Sequence, residues 1–214
     1  MSKISNFVFC SLSDRPEFSK PMFQHLQQYC NKHDYKCVLE NNTLDNSRAP
    51  SWSKIPLIKR EMKNNPNSEY IVWVDDDIIV TNKNKKFDEL IKPYPFENLL
   101  ISQEVEEPFN CGILVCKNND ETYKYLEYIW NLCEKDTRYK WEPNWEQAIL
   151  IKDYRETQLN NPNQSTITTI PYKIIQSFFR GRNPDWKLGD FSAHITGMPL
   201  DMRIHMRDVV LSQI

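Results

Sequence analysis

Apolar residues fall in two rhythms along this chain, short continuous runs and runs spaced by three or four. The first run, Asn6-Phe-Val-Phe-Cys-Ser11, has the length and density of a buried strand. Pro16 to His33 then carries Phe18, Met22, Phe23, Leu26 and Tyr29 near 3.6 spacing, which predicts an amphipathic helix. Tyr35 to Leu39 reads as a second strand, the polar stretch Asn41 to Ala49 as a loop, Lys54 to Asn64 as a helix and Tyr70 to Val74 as a third strand. Leu99 to Ser102 and Gly112 to Cys116 read as further strands. Asp120 to Glu134 is a helix with Tyr125, Ile129 and Leu132 on one stripe, and Trp145 to Ile151 is another. Ile167 to Ile170 and Phe191 to Ile195 are late strands separated by the polar segment Arg180 to Gly189, and Asn160-Asn-Pro-Asn163 is a surface turn. Strand and helix alternate, which predicts a single α/β domain over residues 1–214 with a mostly parallel central sheet and helices on both faces. Ligands of such sheets bind at the carboxyl ends of strands, where Ser11 and Asp75 lie.

Composition narrows the partners. A chain of 214 residues supports one sizeable core, and a formal charge of -2 lacks the basic face that nucleic-acid binding needs, so the partner is a small molecule. The six cysteines form no Cys-x-x-Cys pair and read as small hydrophobes in a reducing compartment. No stretch approaches the roughly 18 apolar residues of a membrane span. With the first strand beginning within the first half-dozen residues, the expectation is a cytoplasmic protein without a membrane anchor. The four glycines all lie in the second half and form neither Gly-x-Gly-x-x-Gly nor a Walker loop. A nucleoside diphosphate must therefore be held by a metal and cationic side chains rather than by a cradle of backbone amides.

The acidic run Asp75-Asp76-Asp77 supplies that metal chemistry. It interrupts the apolar run Tyr70 to Val80, where adjacent carboxylates raise each other's pKa and oppose folding unless a cation compensates them. Strand alternation places Asp75 and Asp77 on one side, as paired oxygen ligands, and Asp76 on the other.

Five segments in order resemble one family: Ser51-Trp-Ser-Lys-Ile-Pro56, Tyr70-Ile-Val-Trp-Val-Asp-Asp-Asp77, Asn110-Cys-Gly112, Asn144-Trp-Glu-Gln147 and Trp186-Lys-Leu-Gly-Asp-Phe-Ser-Ala-His-Ile-Thr-Gly197. Together they look like the successive motifs of the galactosyl- and mannosyltransferases that include fungal Golgi α-glycosyltransferases and plant xyloglucan xylosyltransferases. The chain is also similar to the amino-terminal domain of chlorella-virus glycosyltransferases that decorate capsid glycans, which would place it in a host-cell cytoplasm. The resemblance implies a GT-A fold, a nucleotide-sugar donor (a UDP-sugar), a glycan or glycoprotein acceptor, Mn2+ or Mg2+, and transfer with retention. It divides the chain into a nucleotide-binding half, about residues 1–110, and an acceptor and catalytic half, about 111–214. It implies metal ligation by Asp77 and His194, with Asp75 sharing the ion or contacting the ribose. Imidazole with carboxylates suits Mn2+ better than Ca2+. Donor binding falls to Ser11, Asp14 and Arg15 at the end of the first strand, to Lys54, to Asn110 and Gly112 beside the sugar, and to Arg180 and Gly197. Arg182 is an alternative to Arg180. Gln147 and Glu146 fall below the anomeric carbon, with Asp76 completing the catalytic set. An amide at Gln147 would stabilise an oxocarbenium-like centre, and Glu146 as a covalent nucleophile is the lesser version. Arg180 to Leu188 could close over the diphosphate.

The chain departs from the family pattern at Ala148, where another acidic residue often follows Trp-Glu-Gln. Two rival readings use the same residues. A haloacid-dehalogenase-type phosphohydrolase also sets Asp-x-Asp after an apolar strand, but Gly189-Asp190 lacks the acidic partner expected a few residues on. A non-catalytic, metal-dependent sugar-binding module would use Asp75, Asp77 and the aromatic surfaces of Trp52, Trp141, Trp145 and Trp186.

Overall fold

A computed structural model describes residues 6–141, 145–161, 165–179 and 185–214. Nine strands and six helices run in the order β1 (Phe7–Leu12), α1 (Pro16–Lys32), β2 (Lys36–Glu40), α2 (Lys54–Asn64), β3 (Tyr70–Val74), β4 (Ile78–Val80), α3 (Phe87–Ile91), β5 (Leu99–Ser102), β6 (Asn110–Lys117), α4 (Asp120–Lys135), α5 (Trp145–Asn160), β7 (Ile167–Ile170), β8 (Ser177–Phe178), β9 (Ser192–His194) and α6 (Leu200–Leu211) among the described residues. Short 3-10 turns, Pro50–Ser53 and Thr137–Lys140, precede α2 and α5.

Six strands form the central sheet in the order β2-β1-β3-β6-β5-β7. The pairs β1–β2, β1–β3 and β5–β7 are parallel and only β6 runs against its neighbours, so the sheet is mostly parallel as the alternation predicts. The alternate residues of β1 explain both layers. Val8, Cys10 and Leu12 face α2, α4 and α5 in one apolar cluster, while Phe7 and Phe9 face α1 and α3 in another. Five of the six cysteines are buried. No helix among the described residues is long and apolar enough to cross a membrane.

A second sheet, β4-β9-β8, sits beyond the tip of β3. Ile78 is paired with His194 across β4 and β9, and Ile195 N donates to Asp77 O at 2.9 Å. This ladder brings together segments more than a hundred positions apart. A third cluster, Phe18 and Met22 of α1 with Ile79, Ala193, Ile195 and Val210, fastens the ladder and α6 to the main body.

Several elements depart from the sequence expectation, and the short β4, α3 and β8 were not foreseen. The acidic run is not strand: β3 ends at Val74, and Ile78 N donates to Asp75 O at 3.2 Å across a turn that leads into β4. Helix α5 continues to Asn160 rather than stopping at Ile151, because its polar second half keeps good helix formers. The late strand shortens to Ser192–His194. Helix α6 was not foreseen: its apolar residues are scattered around the helix, and Leu200, Met202 and Ile204 are exposed.

Candidate active site

The tips of β1 and β3, the start of β6 and the start of α5 surround a cleft of about 600 Å³. The register of the sheet sets its layout. Asp75 N donates to Gly112 O at 2.8 Å, so β6 begins directly beside the acidic turn, while the β1 end lies on the other side of β3.

The three aspartates are held by different partners. Asp76 turns toward β1, where Ser13 Oγ donates to it at 2.6 Å and Arg15 Nη2 at 2.7 Å. Burial and the neighbouring Asp77 push the Asp76 carboxyl up to about 6, against the pull of Arg15. Asp77 turns the opposite way: its Oδ2 accepts from Arg203 Nη1 of α6 at 3.0 Å, and its Oδ1 lies 3.0 Å from His194 Nε2 without a directed hydrogen bond. Burial works against ionisation of Asp77, but His194 and Arg203 outweigh it and hold the carboxyl below its ordinary value. Asp75 commits Oδ1 to Trp73 Nε1 and to Lys54 Nζ, the latter at 3.2 Å. Burial dominates at Asp75 and raises its pKa despite Lys54. The turn therefore makes the 75/77 pairing that the sequence attributed to strand alternation.

Asp75, Asp77 and His194 each present a ligand atom such that all lie within 4.8 Å of one another. The donor set suits a divalent cation. Asp77 Oδ1 and His194 Nδ1 are buried without a directed hydrogen bond among the described residues, a costly arrangement unless another partner completes it. The residues present thus fit a divalent cation.

Lys54 lines the cleft from its floor. It is 2 % exposed and donates to Glu146 Oε1 at 2.7 Å and to Cys111 O at 2.9 Å, besides its contact with Asp75. Burial disfavours its charge, yet Asp75 and Glu146 overcome this and raise its pKa. It lines the cleft and is at the same time an internal counter-ion that joins α2 to the acidic turn, β6 and α5. Gly112 has a packing role of its own. A Cβ there would meet His194 Cε1 at 2.6 Å, His194 Nδ1 at 2.8 Å and Gln176 Oε1 at 2.7 Å, so its missing side chain is the space that His194 occupies.

Asp14, Arg15, Asn110, Glu146, Gln147 and Gly197 line the cleft, and so does Arg203, which the sequence reading missed. Gln147 Oε1 accepts from Cys111 N at 2.9 Å, and Asn110 Oδ1 accepts from Gly112 N and Gln176 Nε2. Gly197 adopts φ +73, a conformation other residues rarely take. Ser11 does not reach the cleft: it is 1 % exposed within β1, and Leu12 is the strand residue that lines the site. Asn144, Arg180 and Arg182 lie outside the described residues. Arg203 could have been found only from a contact across 126 positions, for which the sequence carries no local signal.

Residues 3–110 match the model of the galactosyl transferase GMA12/MNN10 family. The chain belongs to this family. An α-1,2-galactosyltransferase of Schizosaccharomyces pombe is 26% identical over 113 residues, 51% of this chain and 30% of that protein. Galactomannan galactosyltransferase 1 of Cyamopsis tetragonoloba is 30% identical over 116 residues, 50% of this chain and 26% of that protein. The matches thus span under a third of either relative's length. A crystal structure of a glycosyltransferase involved in glycosylation of the major capsid of PBCV-1 superposes with a TM-score of 0.72 at 16% identity, covering 94% of this chain and 98% of that one. The family member therefore has the GT-A glycosyltransferase fold, and its acidic turn is the Asp-x-Asp element Asp75–Asp77.

Proposed function

We propose that this GMA12/MNN10-family chain moves a sugar from a nucleoside-diphosphate sugar, a UDP-sugar, to a hydroxyl of a glycan or glycoprotein acceptor, with retention and with Mn2+ or Mg2+ bound. The observation that carries the proposal is the meeting of Asp75, Asp77 and His194 at the strand ends of a cleft. The galactomannan enzyme favours a polysaccharide acceptor and the PBCV-1 enzyme a glycoprotein. Residues 1–110 would hold most of the nucleotide and 111–214 most of the acceptor, with His194 and Arg203 crossing that division.

The ion, when bound by Asp75, Asp77 and His194, supplies Lewis-acid neutralisation of the leaving diphosphate. The side chains do the rest. Arg15 and Asp14, at the end of β1, hold the ribose and nucleotide. Lys54 keeps Asp75 in place from below and ties Glu146 Oε1 at 2.7 Å, which makes Glu146 a counter-ion rather than a nucleophile. Gln147, anchored through Oε1 by Cys111 N, leaves its Nε2 to donate to a sugar or acceptor oxygen. The acceptor hydroxyl attacks from the face the diphosphate leaves, and a departing phosphate oxygen takes its proton.

A thermal-shift panel of UDP, GDP and their sugars with and without MnCl2 tests this reading. A nucleotide at a hundred times its Kd stabilises the fold by about 2.7 kcal/mol. The expected result is stabilisation by UDP species that requires Mn2+ and is abolished in Asp77→Ala. Metal-independent binding, or full stabilisation of Asp77→Ala, would show the ligand assignment to be wrong.

A further inference from the structure

Two of the three candidate metal ligands are tied by a further partner. Asp77 Oδ2 accepts from Arg203 Nη1, and Asp75 Oδ1 meets Trp73 Nε1 and Lys54 Nζ. His194 is the exception. Its Nε2 lies 3.0 Å from Asp77 Oδ1, so Nε2 is the nitrogen that would meet an ion shared with that carboxylate. The other ring nitrogen, Nδ1, is buried without a hydrogen-bond partner among the described residues. Imidazoles that ligate a metal ordinarily donate their second N–H to an acceptor, which fixes the tautomer and the orientation of the ring.

One acceptor is at hand. Gln176 Oε1 is likewise buried without a hydrogen-bond partner among the described residues. It and His194 Nδ1 come within 2.7 and 2.8 Å of a single point, the position that a Cβ on Gly112 would take. Gln176 is 0% exposed and immediately precedes β8, whose Ser177 and Phe178 pair with Ala193 and His194 of β9. The backbone ladder thus keeps the two side chains as neighbours.

Hydrogen-bond logic decides which end of the Gln176 amide faces the imidazole. A backbone N–H only donates, so the Asn110 atom that meets Gly112 N at 2.9 Å is its oxygen. Gln176 meets that same oxygen at 3.0 Å and must do so with Nε2. Its carbonyl oxygen, which only accepts, is left for His194. Nδ1 then carries the proton, and Nε2 keeps the lone pair that a metal needs. We infer that Gln176 is a positioning residue of the metal centre: its Oε1 accepts the Nδ1 proton of His194 and so presents a bare Nε2 toward Asp77. The inference rests on the metal site of the proposed function and names the residue that sets the tautomer of its histidine. It also links Asn110, which lines the cleft, to the centre through the Gln176 amide.

Ring-nitrogen shifts of 15N-histidine-labelled, metal-free protein read the tautomer at about pH 8, above the ordinary imidazole range, with the His194 signals assigned through His194→Gln. Isothermal titration with MnCl2, with and without UDP, reads affinity. The unaltered protein carries its proton on Nδ1. Gln176→Met, close in volume but without a carbonyl, shows a mixture of tautomers and binds Mn2+ roughly 10- to 100-fold more weakly. Gln176→Glu retains the Nδ1 proton and recovers most of the affinity. Both variants lose the bond to Asn110, so the difference between them isolates the acceptor. A proton on Nε2 in the unaltered protein overturns the inference, as does a Gln176→Met protein that binds Mn2+ like it, or equal losses in the two variants. Mn2+ binding that depends on Gln176, without stabilisation by any nucleotide, would refute the transferase reading alone. Absence of Mn2+ binding by the unaltered protein would overturn both.

Discussion

Gly112→Ala is a one-carbon change with a calculable cost. The added Cβ would come within 2.6 to 2.8 Å of three atoms of His194 and Gln176, closer than van der Waals contact permits. Neither side chain can simply swing away: His194 is 2% exposed under the Phe178 ring, and Gln176 is fully buried and donates to Asn110 at 3.0 Å. Overpacking of this kind costs about 1–3 kcal/mol, and three simultaneous overlaps place Gly112→Ala toward the upper end, about 2–3 kcal/mol. For a chain of this size that lowers Tm by roughly 4–12 °C. Because the atoms displaced belong to a proposed metal ligand and its neighbour, the proposed Mn2+ binding should weaken together with stability, by roughly 10- to 100-fold. Urea unfolding and Mn2+ titration measure the two effects. His194→Ala removes two of the three overlapping atoms, so the double variant Gly112→Ala/His194→Ala should be more stable than the sum of the single changes implies. A Gly112→Ala protein with unchanged stability and Mn2+ affinity, or an additive double variant, would refute the account of why glycine stands there.

Three further outcomes follow from the site. Lys54→Met leaves Asp75 and Glu146 without their shared cation and should destabilise by about 3–5 kcal/mol in urea titration, part of which Lys54→Met/Glu146→Leu recovers. Arg203→Ala removes the bonds to Asp77 Oδ2 and Met198 O, so amides of α6 should exchange faster by hydrogen-exchange mass spectrometry while those of β1 and β3 do not. Arg15→Gln frees Asp76 from its 2.7 Å partner and should weaken UDP binding in the thermal-shift assay with little loss of stability, since Arg15 is one-third exposed.

The layers of the fold were readable because each main strand and helix satisfies its own period. Phe7 to Leu12 and Tyr70 to Val74 are dense enough for buried strands, and the Phe18 to Tyr29 stripe is buried along its length, Leu26 and Tyr29 against the sheet face carrying Phe9 and Phe18 and Met22 against the second sheet and α6. The acidic turn was conspicuous because charge inside an apolar run demands compensation. Three-residue strands have no period to detect, so β4 was read as part of β3's run. Helix α6 packs through a few residues, Val210 among them, and shows no continuous stripe. Lys54 was assigned to the donor from its motif, but its neutralising partners come from the acidic turn and α5, which no local signal announces. Gly112 resembled a wall residue because nothing nearby in sequence announces that His194 fills the space above it.

Asp77 and His194 flank one rung of a three-stranded ladder, and the separation of their side chains is fixed by main-chain bonding rather than by the cation they would share. Lengthening or shortening the stretches between positions 81 and 191 could change what the protein recognises without altering the spacing of those two groups. A one-residue slip of β9 along β4 would turn the imidazole to the opposite face and dismantle the centre, however faithfully every side chain was retained.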